Sequence, residues 1–178
     1  MIIAAIVVCI CFGFLEADGQ RRDYMTDEEI ELVRDNQEMD LRMAVLVKMI
    51  DRRFAALNIG VGTSQEKIRK SEEWGPPPTG TRLQLLTDIR ELLRKASEDL
   101  DLAVDRDADA LKPETKSGKM FGDGVRKLEH AAKRYLPALQ QVAEKPESEA
   151  ERGQLLNAAE LCEEIIAAAQ RLPAPVKK

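Results

Sequence analysis

The sequence predicts an all-α protein, a four-helix-bundle-like domain of long amphipathic helices. Apolar residues recur every three or four positions through most of the chain, which is the period of an α-helix. No stretch alternates apolar and polar residues with the β-branched enrichment that strands need. With 178 residues, the chain is long enough to bury a core as one domain without disulfides or metals.

Residues 1–17 are predicted to be a secretory signal peptide. The run from Ile2 to Leu15 is apolar and uncharged, and as a helix it would span about 21 Å, less than the roughly 30 Å hydrocarbon layer. Ala17 suits the position before a cleavage site. No Lys or Arg precedes the run, whereas Arg21 and Arg22 follow it. An uncleaved membrane anchor at residues 2–15 and a buried core segment are therefore alternatives.

Residues 18–178 are then expected to form a single helical domain, whose first helix covers about residues 27–57. Thr26 and Glu29 have the spacing of a capping box, which marks the start of a helix. Asn36 is the one polar interruption of the apolar stripe that follows. This stripe comprises Leu32, Met39, Met43, Leu46, Val47, Ile50, Phe54 and Leu57.

Residues 58–79 are predicted to be an extended proline-rich crossover, which we call the strap. Pro76 to Pro78 fix the backbone in an extended conformation. Trp74, the only tryptophan, directly precedes Gly75 and these prolines, and it is expected to anchor the strap on an edge of the bundle. A docking peptide for an aromatic groove and a disordered linker are the alternatives.

Three further helices are expected at about residues 80–106, 120–144 and 148–172. The second helix is expected to bury a stripe that begins at Leu83, and the third contains Pro137, which removes a helical hydrogen bond. Ser148 and Glu151 repeat the capping-box spacing at the start of the fourth. Gly122 and Gly124 are interpreted as a loosely wound start of the third helix.

The charge pattern argues against nucleic acid as a partner. The net charge is −5, and acidic and basic residues are interleaved, so no concentrated basic face is available for phosphates. Contact with a membrane is expected only through an uncleaved N-terminal segment.

No catalytic, cofactor-binding or metal-binding set is predicted. His130, the one histidine, lies beside the apolar stripe of its helix and is interpreted as a boundary or surface residue. Cys162 would be the only cysteine left after cleavage, and it is interpreted as a core residue. Asp105, Asp107 and Asp109 have the first spacings of a calcium loop, but no Gly follows at its sixth position and no Glu at its twelfth.

The first helix carries a second apolar row, Leu41, Val45 and Met49, spaced by four residues. The row is the one candidate contact surface for a partner. Either the strap covers it, with Trp74 above, or it is exposed and binds a partner or a second copy of the chain.

Together these patterns predict a non-enzymatic secreted or periplasmic helical-bundle protein that acts through protein–protein contact, as an adaptor, an assembly factor or a structural element. The alternative is a bundle that binds a small ligand or an ion.

Overall fold

The computed structural model describes residues 22–62 and 74–172. The expected signal peptide and residues 63–73 of the strap lie outside these ranges. Helices and the loops between them make up the described part, which contains no strand. The helices are α1, Asp27–Asp35; α2, Met39–Ala56; α3, Arg82–Arg106; α4, Lys116–Ala143; and α5, Glu149–Ala169; a 3₁₀ helix, Ala108–Leu111, lies between α3 and α4.

The expected first helix, residues 27–57, is wrong as a single element, because it breaks between α1 and α2. The capping box at its start is confirmed: Thr26 Oγ1 accepts from the Glu29 N–H at 3.3 Å, and Glu29 Oε2 accepts from the Thr26 N–H at 3.1 Å. At the break, the Asn36 side chain donates to the Leu32 carbonyl at 2.8 Å. The Asn36 N–H donates to the same carbonyl at 3.2 Å, so Asn36 caps α1, and its own backbone, with φ −102° and ψ 80°, leaves the helical conformation.

The second helix begins within the expected range, but its buried face differs from the expected one. Thr81 and Gln84 form a capping box that starts α3. Leu83, the expected first member of the buried stripe, is exposed, whereas Leu85 and Leu92 are buried. The central residues of the expected stripe are buried, namely Leu86, Ile89, Leu93 and Ala96. The buried face is wider than that stripe because this helix packs against both α2 and α5.

The third helix begins at Lys116, four residues before the expected start. Thr115 Oγ1 accepts from the Gly118 N–H at 2.9 Å and caps it. A Cβ at Gly118 would lie 1.9 Å from the Lys112 carbonyl oxygen, so only glycine allows the preceding loop to approach this turn. Gly122 and Gly124 lie inside the helix and are not its loose start.

The helices pack as a bundle-like fold around one main apolar core. Helices α2 and α5 each contact both α3 and α4, and Pro137 is accommodated inside α4. The fourth expected helix is confirmed as α5, whose N-terminus is capped by Ser148. A smaller apolar cluster of Ala110, Phe121 and Val125 lies at the end where α3 passes into α4.

Candidate functional site

A buried cluster of ion pairs joins the segment before α1 to the helices α1, α2 and α3. Glu29 on α1 is fully buried, and it accepts hydrogen bonds from Arg52 at 2.9 Å and from Arg53 Nη2 at 2.6 Å, both on α2. A second oxygen contact, from Arg53 Nη1 to Glu29 Oε1, completes the pairing. Asp88 on α3 lies 3.8 Å from Arg53 Nε. Opposite charges from different helices therefore pair with one another in the protein interior.

The same arginines hold the flanking segments. Arg52 donates to the carbonyl oxygens of Gly75 and Pro76, and Arg53 donates to the carbonyl oxygen of Tyr24. Arg22 forms two 2.8 Å hydrogen bonds to Asp88. Because each guanidinium bridges a side chain and a distant backbone segment, the cluster is an internal tie between elements.

Burial and ion pairing shift the pKa of Asp88 in opposite directions. Burial raises its pKa above the ordinary value, while the hydrogen bonds and the charge of Arg22 lower it, and the net direction is upward. Both oxygens of the carboxylate accept a hydrogen bond from Arg22, so the two side chains form a bidentate pair.

Trp74, the expected strap anchor, is 6% exposed and belongs to the main core. Lys48 Nζ lies 4.5 Å from the ring centroid, and the Arg52 guanidinium carbon lies 5.6 Å from it. Both cations are placed where an aromatic ring attracts positive charge. The indole thus sits against α2, the helix that carries the second apolar row.

The second apolar row does not form a continuous surface. Val45 and Met49 are buried in the core, and Leu41 is 43% exposed. Two of the three candidate contact residues are therefore covered by the protein itself. The row divides because α2 packs against α3 and α4 on the side of Val45 and Met49, whereas Leu41 remains exposed. The first turn of α2 also contacts α4, where Lys127 donates to the Asp40 carbonyl at 2.9 Å.

A second buried polar pair links α2 to α4. The Tyr135 hydroxyl donates to Asp51 at 2.7 Å, and both side chains are buried. Arg134 lies 3.4 Å from Asp51 and donates to the Val61 carbonyl at 2.9 Å. Burial, and then the charge of Asp51, raise the pKa of Tyr135 well above its ordinary value. A phenol held protonated and fully buried is suited to a structural hydrogen bond and not to proton transfer.

The remaining chemically reactive residues stay apart. His130 is exposed, and Cys162 is fully buried among apolar side chains. Burial raises the pKa of the Cys162 thiol to about 12, so this thiol is unreactive at neutral pH. Within residues 22–62 and 74–172, no three His, Cys, Asp or Glu side chains are grouped to hold a metal ion. Asp105, Asp107 and Asp109 are exposed.

An apolar groove lies between α3 and α5, beside the smaller core cluster. We call it the α3–α5 groove; its volume is about 240 Å³. Leu111 of the 3₁₀ helix is 52% exposed at the groove, and Asp101 and Glu164 add two acidic groups. Its apolar lining includes Leu100, Leu111, Phe121, Val125, Ile165 and Leu172.

Sequence reasoning did not find this groove or the ion cluster. The groove depends on the 3₁₀ helix that brings Leu111 between two helices, and the loop sequence gives no signal for this helix. The ion cluster had a partial signal, since Arg52 and Arg53 fall next to the core position Phe54 on the same helix. Charged residues that fall on the buried face of a helix indicate buried ion pairs.

None of the helices within residues 22–62 and 74–172 is both long enough and apolar enough to cross a membrane.

No protein family, curated protein or solved structure matches this chain.

Proposed function

We propose that this protein is a non-enzymatic, secreted or periplasmic four-helix-bundle protein that acts by protein–protein contact through the α3–α5 groove. In this proposal α2 to α5 are the members of the bundle, and the proline-rich strap is the crossover between α2 and α3. The groove replaces the row of Leu41, Val45 and Met49 as the contact surface.

The observation that carries the proposal is the exposed Leu111 beside an apolar depression. A leucine that is half exposed next to Phe121 and Leu172 leaves apolar surface in contact with water. Covering such surface stabilises a complex by roughly 25 cal/mol for each Å² removed from water. Asp101 and Glu164 at the groove favour a partner that presents an apolar side chain next to lysine or arginine.

The buried charges support a binding protein over an enzyme. Glu29, Asp51 and Asp88 are each paired with a side chain from another helix or segment. Their pairing stabilises the packing of the elements and leaves the surface groups free to contact a partner. A role as an adaptor, an assembly factor or a structural element fits such a rigid scaffold.

Site-specific photo-crosslinking tests the contact. A photoreactive amino acid is placed at Leu111 in the full chain, which is expressed with its own leader. Leu156 is the matched control position, because it is also a leucine, 54% exposed, and lies outside the groove. A discrete crosslinked protein is expected from position 111 and not from position 156. Equal products at both positions, or none at either, would remove the groove from the proposal.

The location is tested separately by N-terminal sequencing of exported protein. Expression with the native leader is expected to give a product that lacks Met1 to about Ala17 in the envelope or the medium. Full-length protein recovered only from the cytoplasm would contradict the proposed location.

A further inference from the structure

A second depression, larger than the α3–α5 groove, lies on the other side of Phe121. Its volume is about 580 Å³, and it is bounded by the junction of α1 and α2, the second half of α3 and the first turns of α4. This volume falls in the range of small-molecule sites, about 300–1,000 Å³. The apolar part of its lining comprises Met39, Leu102, Ala103, Ala110, Met120 and Phe121.

Asp99 gives this cavity an acceptor without a donor. The residue is 6% exposed and lines the cavity. Its Oδ1 accepts a hydrogen bond from Lys95 at 2.7 Å, whereas Oδ2 accepts none within residues 22–62 and 74–172. A buried acceptor without a donor destabilises the protein, so a ligand that donates to Oδ2 would remove this cost.

The Arg42 guanidinium lies near Asp99 Oδ2 but does not donate a hydrogen bond to it. Its Nη1 lies 3.7 Å from Asp99 Oδ2, which is within ion-pair range and too long for a hydrogen bond. The guanidinium is retained by Gln37 Oε1 at 2.6 Å and by the Asn36 carbonyl at 3.3 Å. Both residues belong to the break between α1 and α2, so this break places a cation and a carboxylate side by side at the cavity.

A further cation borders the cavity. Arg106 lies two helical turns beyond Asp99 on α3, and its side chain is exposed. It forms no ion pair or hydrogen bond with the described part of the chain. The cavity therefore offers a free carboxylate oxygen, a free guanidinium and an apolar wall.

We propose that this cavity binds a small zwitterion, an α-amino acid with an apolar side chain. Its ammonium group donates to Asp99 Oδ2, its carboxylate pairs with Arg106, and its side chain packs against Met120 and Phe121. The ammonium group meets the Asp99 oxygen that accepts no hydrogen bond within the described residues, and the carboxylate meets the exposed guanidinium of Arg106. The site does not depend on the proposed protein contact, because Leu111 does not line it.

Three probes with the same branched carbon body separate the contributions of the two charges. They are L-leucine, 3-methylbutylamine, which lacks the carboxylate, and 4-methylpentanoate, which lacks the ammonium group. Titration calorimetry on the full chain is expected to give a dissociation constant below about 1 mM for leucine. Each single-charge probe is expected to bind at least tenfold more weakly.

Methyl signals of labelled methionines locate the binding. Met120 lines the cavity and Met49 lies in the main core, so leucine is expected to shift the Met120 signal and not the Met49 signal. A shift of both signals, or of neither, would contradict binding at this cavity.

Two variants and one control complete the test. Asp99→Asn and Arg106→Gln are each expected to weaken leucine binding at least tenfold; Arg106 is exposed, so its variant should fold. Asp105→Asn, an exposed carboxylate on the same helix that does not line the cavity, is expected to leave binding unchanged. The proposal fails if leucine at about 10 mM gives no binding, if Asp99→Asn binds leucine like the unchanged protein, or if either single-charge probe binds as tightly as leucine.

Discussion

Replacing Glu29 by Gln removes one buried negative charge from between two arginines. The substitution keeps the size of the side chain and an oxygen that can accept from the Thr26 N–H, so the cap of α1 survives. It leaves Arg52 and Arg53, both at least 96% buried, facing a neutral amide. Removing one partner of a buried pair costs about 3–5 kcal/mol, because two buried guanidiniums then share only the more distant Asp88 carboxylate, 3.8 Å from Arg53.

The assay is denaturant unfolding of the purified chain, followed by circular dichroism. We expect the free energy of unfolding to fall by about 3–5 kcal/mol and the melting temperature to fall by roughly 10 °C. Glu31→Gln is the matched control, because it makes the same change on the same helix. Glu31 pairs with Arg34 at the surface, where both side chains are more than half exposed, so its loss should cost less than about 0.5 kcal/mol.

A double variant separates the ion pair from a general loss of packing. If the stranded charge causes the loss, replacing Arg53 by Met as well should cost less than the sum of the two single changes, by at least about 1 kcal/mol. Additive effects, or equal effects of Glu29→Gln and Glu31→Gln, would refute the reasoning that the cluster is a buried tie.

Three other predictions concern packing and protonation. Gly118→Ala should destabilise the protein by about 3 kcal/mol in thermal or denaturant unfolding, because its Cβ would lie 1.9 Å from a carbonyl oxygen. Gly153→Ala should stabilise the protein by about 0.5–1 kcal/mol, because its Cβ would have no atom within 4 Å. A change of the same sign for both variants would contradict this prediction. The folded pKa of Cys162, about 12, lies above the unfolded value, so its contribution is complete below pH 9 and is lost as the pH rises towards 12. The stability difference between the unchanged protein and Cys162→Ala should therefore shrink by about 1 kcal/mol from pH 9 to pH 10, and a constant difference would argue against it. Val45→Glu should cost several kcal/mol and Leu41→Glu less than about 0.5 kcal/mol in the same unfolding assay, and similar effects at both positions would show that the row is not divided.

Local signals predicted where most helices begin. Thr26 and Ser148 start helices as expected, because a cap requires only a side chain and an N–H three residues later, both of which the sequence shows directly. The absence of strands across the described ranges follows from the same local periodicity. The early start of α4 at Lys116 was missed because its cap, Thr115, precedes a glycine that by itself favours a loop.

The candidate site was beyond the reach of sequence patterns. Leu83 and Leu85 have equal hydropathy, and only the positions of the neighbouring helices decide which of them is buried. The α3–α5 groove likewise requires residues from four separate elements, and periodicity within one helix cannot indicate which elements meet.

The sequence by itself determined the helical class, most helix starts and the core role of Cys162, because these depend on residues within a few positions of one another. Only the tertiary structure decided that the helix breaks at Asn36, that Glu29 serves as both cap and ion partner, and that Asp99 keeps a free oxygen at a cavity. Glu29 and Arg53 are 24 residues apart, and Arg22 and Asp88 are 66 apart. Charges at such separations meet only when packing brings their elements together. Because burial removes water from these charges, each one must then pair with a group from another element or remain without a hydrogen bond.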